Sequence, residues 1–596
     1  MSILLELQNR FRRALAGLVD DPESLLETIR RSQEAKYGDY QANLAMPLGK
    51  RLGRPPREIA QQLVERLDVA DFCLAPEIAG PGFINLRVRD DRLAGGLAVA
   101  AADPRLGIPP ADRARTYVID YSAPNVAKPM HVGHIRSTVI GDGLYRTLGF
   151  LGHRVIGDNH LGDWGTQFGM ILYGYKHFLD PEGYRARPVE ELARVYRLVR
   201  QLMDYQEVAS VASDPQLAKL AAEHPEIEAA VLIETARLHA DDAENLRLWR
   251  EFMPYCLEEI EQIYRRLGVR FDHTLGESYY HDRLAPLVEK LLKRGIAQES
   301  EGATCVFLEG HSVPMLVRKQ DGAFLYGTTD LATIEYRMET WRPDAILYVV
   351  DHRQGLHFKQ LFAAARKMGY GDVELQHVSF GTVLGEDGRP FRTRSGETVA
   401  LEGLLDEAVR RALEIVAAND DAKPGGPELS PDQRARVAET VGIGALKYAD
   451  LAQNRTSDYV FSYDKMLAMN GNTATYMQYA YARVRSIFRK GGVDVDALRA
   501  GGAKILLTTP AERALGLELL RFAEALELAV ADYRPSQLTG YLFDLANRYS
   551  TFFETCPVLR AESEALRQSR LLLCDLTART IGKGLELLGI DVVEQM

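Results

Sequence analysis

Long apolar runs are missing from this sequence, and with them any stretch able to cross a bilayer as a helix. Cysteine is scarce: five in 596 residues, at Cys73, Cys256, Cys305, Cys556 and Cys574. None forms a CxxC pair, so no zinc site of the usual spacing is expected, and no other resident metal. Scattered thiols in a long chain suit a reducing cytosol. The opening MSILLELQNRFRRAL carries charge through an amphipathic pattern and lacks the uninterrupted apolar stretch and cleavage site of a signal peptide. A cytoplasmic protein, away from membranes, is therefore expected. There is no internal repeat and no low-complexity tract. An excess of positive charge is also absent: 72 Lys and Arg against 83 Asp and Glu leave a formal charge of −11. That balance argues against non-specific coating of nucleic acid, while leaving room for a local basic surface.

What is present is ordinary globular composition, 46% hydrophobic and 26% charged, in a chain too long for one core. Residues 1–110 read as an α+β unit. Early helical patterns lead to a short strand signal in GPGFINLRV, and DPRLGIPPADRAR follows as a linker. Residues 111–420 alternate strands and helices. TYVIDYS (116–122), RVIGD (154–158), AILYVVD (345–351) and VELQHVSFGTV (373–383) are apolar strands. Helical patterns at 131–152, 165–178 and 357–369 intervene, which predicts a Rossmann-type, doubly wound parallel sheet. A polar, helix-rich stretch at about 185–275 reads as an insertion, and 304–319 as a hairpin. After PGGPELSPDQ, residues 421–596 form an all-α bundle. Leu515, Leu519, Phe522, Leu526 and Val530 recur at helical spacing, as do Leu571, Cys574, Ala578, Ile581, Leu585 and Leu588.

The sharpest feature is DYSAPNVAKPMHVGHIRST, residues 120–138, where a strand ends and a helix begins. A helix start offers unpaired N–H groups and a positive dipole end. His131 and His134, three apart, project from one side of the first turn. Gly133 leaves room beside the backbone, and Lys128 adds positive charge just before the pair. Such a group suits phosphoryl chemistry, where charge stabilisation matters more than covalent help.

His131-Val132-Gly133-His134 resembles the HIGH signature of class I aminoacyl-tRNA synthetases, and the longer SAPNVAKPMHVGHIRST resembles the arginyl enzymes. LGDWGTQFG (161–169), YGTTDLATIEYR (326–337), VVDHRQGLHF (349–358) and NTATYMQYAYARVRSI (472–487) extend the likeness in order along the chain, as do YGDYQANLAMPL and GPGFIN near its start. One departure stands out. Where the class carries KMSKS, this sequence reads Pro390-Phe391-Arg392-Thr393-Arg394-Ser395-Gly396. The family's lysines are absent, and the resemblance implies that Lys128 compensates, with Arg392 and Arg394 facing the leaving pyrophosphate.

The resemblance also implies the substrates: L-arginine, ATP with accompanying Mg²⁺, and tRNA(Arg), handled by a monomer. It proposes Asp330 as the guanidinium acceptor, with Tyr326 on the same helix face. Asp120 would lie near a substrate cation, and Ala123, Pro124, Asn125 and Gln354 would hold the amino acid. His134 would approach the substrate carboxylate or the ATP. An acidic slot rejects neutral side chains, so no editing domain is required. Tyr476, Tyr479, Arg483 and Arg485 in the bundle mix aromatic and basic groups suited to splayed bases, and the resemblance places anticodon recognition there. Phe83 and Asn85 are the candidates for the tRNA elbow. Competing readings are another class I synthetase, a small adenylyltransferase sharing HxGH, and a non-catalytic RNA-binding derivative. The lack of zinc ligands and of a long editing insertion speaks against the first. The size of the helical C-terminal unit speaks against the second, and the intact histidines, Lys128 and Asp330 against the third.

Overall fold

The computed structural model describes residues 2–126, 128–207, 215–391 and 399–596. Near the N-terminus, β1 (Ile29–Arg31), β2 (Tyr40–Ala42), β3 (Glu77–Ala79) and β4 (Phe83–Leu86) form an antiparallel sheet in the order β1-β2-β4-β3. The GPGFINLRV signal lands on β4. The other three strands are only three residues long, too short to leave a period in the sequence.

The central sheet is built from β5 (Thr116–Asp120), β6 (Arg154–Asn159) and β7 (His273–Thr274). A small antiparallel sheet follows: β8 (Ala297–Ser300), β9 (Ala303–Val306) and β10 (Met315–Arg318), the last two being the expected hairpin. Then come β11 (Ala345–Tyr348) and β12 (Glu374–His377), which complete a five-stranded, all-parallel sheet in the order β12-β11-β5-β6-β7. Side chains alternate between two buried faces. Tyr117, Ile119 and Leu347 join one core, while Val118, Ile346 and Tyr348 join the other. That is why β5 and β11 read as apolar runs. Strand order reverses between β5 and β11, so a crevice opens at their carboxyl ends.

The helix Val132–Phe150 leaves β5 and packs so closely on it that a Cβ at Gly141 would lie 2.3 Å from the Tyr121 side chain. Between β6 and β7 the chain is helical, including Thr166–Phe178, Pro188–Glu207, Ile227–His239 and Ala243–Leu267. The C-terminal region is a helix bundle with one exception. β13 (Val383–Leu384) pairs in parallel with β14 (Tyr459–Val460), a two-residue strand inside the stretch expected to be purely helical. The periodic run from Leu515 to Val530 is two helices, Pro510–Leu520 and Phe522–Ala531, broken at Arg521. The break turns the Arg521 guanidinium toward the N-terminal sheet, where Nη2 donates to the Asp39 carbonyl at 2.9 Å and Nε to the Tyr40 hydroxyl at 3.2 Å. Arg513 adds a pair to Asp39 at 2.9 Å, and Arg31 one to Glu518 at 2.8 Å. These buried and half-buried pairs fasten the N-terminal unit to the bundle rather than to the sheet. No described helix is long and apolar enough to cross a membrane.

Candidate active site

β5 leaves the sheet through two residues at positive φ, Ser122 (69°) and Ala123 (45°), a conformation that L-residues hold only when their surroundings impose it. Here a buried hydroxyl network does so. Ser122 Oγ lies 2.8 Å from both Thr138 Oγ1 and Tyr264 Oη. Ser122 N donates to Ser137 Oγ, which donates to the Val349 carbonyl at the end of β11. Ala123 N donates to Asn159 Oδ1, and Pro124 O accepts from Gly162 N at 3.1 Å. Asn125 bridges to Gly162 in parallel register. The expected Ala123, Pro124 and Asn125 thus line the mouth of the crevice, pinned between β6 and the helix at Val132.

His131 is the N-cap of that helix. Its Nδ1 accepts from Gly133 N at 3.0 Å, while His134 Nδ1 accepts from His131 N at 3.0 Å. With both Nδ1 atoms acting as acceptors, each neutral ring carries its proton on Nε2. The rings stack at 3.9 Å. A Cβ at Gly133 would meet His131 Cε1 at 2.9 Å, so the glycine leaves room for the cap ring. Burial, followed by the charges of Lys128 and Arg353, lowers the His131 pKa. Burial, then His131 and Lys128, pushes His134 down to about 3. Two neutral N–H donors at a helix N-terminus beside cationic groups are chemistry that can receive an anion. Leu401 N donates to Met130 O, and Val132 N to Val399 O, so the chain after the KMSKS-equivalent segment runs against the histidine turn. Arg392 and Arg394 themselves lie outside the described residues.

Lys128 is half-buried, and its ammonium rests 5.3 Å from the ring centroid of Tyr196. Asp120 stands at the end of β5, but one of its oxygens is already engaged: Arg337 Nη2 reaches Asp120 at 2.6 Å and Asp158 at 2.7 Å, all three side chains buried. Two carboxylates on one guanidinium leave the triad with surplus negative charge, which suits a cation beside it rather than an anion. Asp330 lies one turn into the helix Tyr326–Thr340, whose N-cap is Leu325, so Asp330 is not itself the cap. His357 Nε2 bonds Asp330 Oδ2 at 2.6 Å, and its ring lies 4.7 Å from that of Tyr326. His357 therefore joins the two residues expected to share a pocket. Gln354 is exposed at the rim, one residue before the helix Gly355–Met368.

Sequence reasoning missed three contributors. Glu277 has its pKa raised by burial, and the charges of Asp163 and Asp330 add to the rise. Arg337 and His357 were inside quoted motifs but carried no role. Only the fold shows them, because each partner lies far away in sequence.

Of the RNA candidates, Phe83 is half-buried at the sheet end, whereas Asn85 is 7% exposed and its Oδ1 accepts from Gln41 at 2.8 Å, so little of it faces outward. Tyr479 and Arg483 line a cavity of about 1160 Å³ with Lys423, Lys490, Phe553 and Met596. Arg483 lies over Phe553 at 4.2 Å. Tyr476 is half-buried and bonds Asn547. Arg485 pairs with Glu594 of the C-terminal tail at 2.8 Å and is directed away from that cavity.

Family models match three successive stretches: an arginyl-tRNA synthetase N-terminal domain at residues 5–88, a class I tRNA synthetase (R) catalytic domain at 100–463, and a DALR anticodon-binding domain at 477–596. The catalytic-domain match alone spans more than half of the chain. The chain belongs to the arginyl-tRNA synthetases. The arginine–tRNA ligase of Rhodopirellula baltica is 47% identical over 99% of both chains, and that of Cellvibrio japonicus 45% over 96% of both. The arginyl-tRNA synthetase structure from Plasmodium falciparum superposes with a TM-score of 0.83 at 26% identity, covering 100% of this chain and 99% of that one. The Thermus thermophilus enzyme gives 0.81 at 26% identity over the full length of both.

In this synthetase the lowered histidine has a consequence for stability. Below the ordinary histidine pKa of about 6.5 the unfolded chain binds a proton that folded His134 refuses until pH falls to about 3. Its contribution is fully present above about 6.5 and is lost as pH falls through that window. Denaturant titrations between pH 4 and 7 are expected to show a steeper acid loss for the native sequence than for His134→Asn; equal slopes would contradict the assignment.

Proposed function

We propose that this arginine–tRNA ligase activates L-arginine on the β5–β11 crevice with the residues just described, each in a stated role. The arginine carboxylate attacks the α-phosphorus of ATP, a P–O bond to pyrophosphate breaks, and arginyl-adenylate forms. The terminal ribose hydroxyl of tRNA(Arg) then attacks the adenylate carbonyl and releases AMP. His131 and His134 donate Nε2–H bonds to oxygen that gains negative charge at the α-phosphate, a role that neutral, preorganised donors fill without reorganisation. Lys128, Arg392 and Arg394 neutralise the departing pyrophosphate, and Mg²⁺ enters as the companion of the ATP phosphates.

The guanidinium meets Asp330, held by His357, with Tyr326 beside it and the charge of Glu277 adding to the attraction. The surplus charge around Arg337 gives Asp120 a long-range attraction for the substrate ammonium, and Asn125 and Gln354 add hydrogen bonds. Residues 421–596 receive the anticodon, with Tyr479 and Arg483 at the cavity beside Met596. Residues 1–110 meet the tRNA elbow through Phe83, residues 111–420 carry the chemistry, and the enzyme works as a cytoplasmic monomer. What supports the reading is that the helix leaving β5 opens on the histidine pair while the helix following β11 brings His357 to Asp330. Charging total tRNA with each of the twenty labelled amino acids, ATP and Mg²⁺ tests it. Label is expected from arginine; charging by another amino acid overturns the pocket, and no charging overturns the catalytic reading.

A further inference from the structure

The helical insertion between β6 and β7 has no part in the chemistry described so far, yet one of its side chains touches Lys128. Tyr196, on the helix Pro188–Glu207, is 8% exposed and packs in the same apolar core as Val132 and Trp164, so its ring is fixed by its neighbours. The Lys128 ammonium lies 5.3 Å from the centre of that ring. The same charge also acts on both histidines of the motif.

The chemistry of the holder matters. A carboxylate at this point would cancel the positive charge and occupy the ammonium N–H groups. An aromatic face attracts a cation electrostatically, adds no net charge, and leaves the three N–H donors to phosphate oxygen. Lysine has a flexible four-carbon stem and acts as a point charge, so its value in a transition state depends on something else fixing where the charge sits. Here the sequence lacks the KMSKS lysines, which makes the placement of this one ammonium more consequential.

We propose that Tyr196 is a positioning residue for arginine activation, its ring holding the Lys128 ammonium on the ATP side of the His131–His134 pair. The proposal rests on the phosphate role given to Lys128. It brings the insertion into the first chemical step.

The test is a double-mutant cycle on the full-length enzyme, read by ATP–pyrophosphate exchange with tRNA present. Tyr196→Leu is expected to slow exchange roughly three- to tenfold and to raise KM for ATP, with KM for arginine unchanged. Tyr196→Phe, which keeps the ring, restores the native rate. Lys128→Met slows exchange further than Tyr196→Leu does, and adding Tyr196→Leu to Lys128→Met slows it no more. Should Tyr196→Leu fail to fold, Tyr196→Met fills the same space flexibly and serves in its place. Native exchange by the ring-less variants overturns the proposal while leaving Lys128 in place. So does a loss of equal size in the Lys128→Met background, or a parallel rise in KM for arginine. Native exchange by Lys128→Met removes the phosphate role and the proposal with it.

Discussion

His134→Ala is expected to slow arginyl-adenylate formation roughly 10²- to 10³-fold, the usual loss when a preorganised donor to developing negative charge is removed. The expectation follows from hydrogen-bond geometry. His134 Nδ1 accepts from the His131 backbone, so its Nε2 carries the proton and is the atom left to donate. Because burial holds the ring neutral down to about pH 3, it donates as imidazole and takes up no proton near neutrality. Alanine also removes an N-terminal cap, which costs about 1 kcal/mol. His134→Asn separates the two effects, since asparagine supplies the cap acceptor in a shorter side chain. Thermal stability is expected to return with asparagine while the exchange rate returns only in part. Arginine affinity, measured by calorimetry, should hold in both variants. Near-native exchange by His134→Ala would remove the ring from the reaction.

The inner strands of the central sheet were legible because both of their faces are buried. The readings at 116–122, 154–158, 345–351 and 373–383 each contain a strand, most plainly at the apolar β5 and β11. β7 escaped because two residues, His273 and Thr274, carry no pattern. The histidine motif was legible because a helix start concentrates its chemistry in one short string. The acidic slot was only half so. Asp330 and Tyr326 lie one turn apart on one helix, but His357 reaches Asp330 from 27 positions away, and Arg337 joins Asp120 and Asp158 across 217 and 179. Periodicity sees neighbours along the chain, whereas such partners meet only after the sheet has formed. For the same reason the pairing of Arg485 with Glu594, 109 residues on, could not be read from the sequence.

The second large effect is expected at Asp330. Asp330→Asn should raise KM for arginine roughly 100-fold, because a charge-assisted pair to a buried guanidinium is replaced by a neutral amide that presents one acceptor. The KM for ATP should stay put, since the histidine pair sits on a different helix. The variant's single amide oxygen must also serve the 2.6 Å bond from His357, and His357→Gln measures how much of the effect is orientation alone; a smaller rise is expected there. Competition with lysine sharpens the result. A lysine ammonium can meet one carboxylate as a point charge but cannot fork between Asp330 and a second acceptor such as Glu277. Arginine therefore has more to lose, and the preference for arginine over lysine should narrow in Asp330→Asn. If KM for arginine is unchanged, the guanidinium lies instead toward the Arg337 triad, where Asp120 and Asp158 hold the other concentration of negative charge in the crevice.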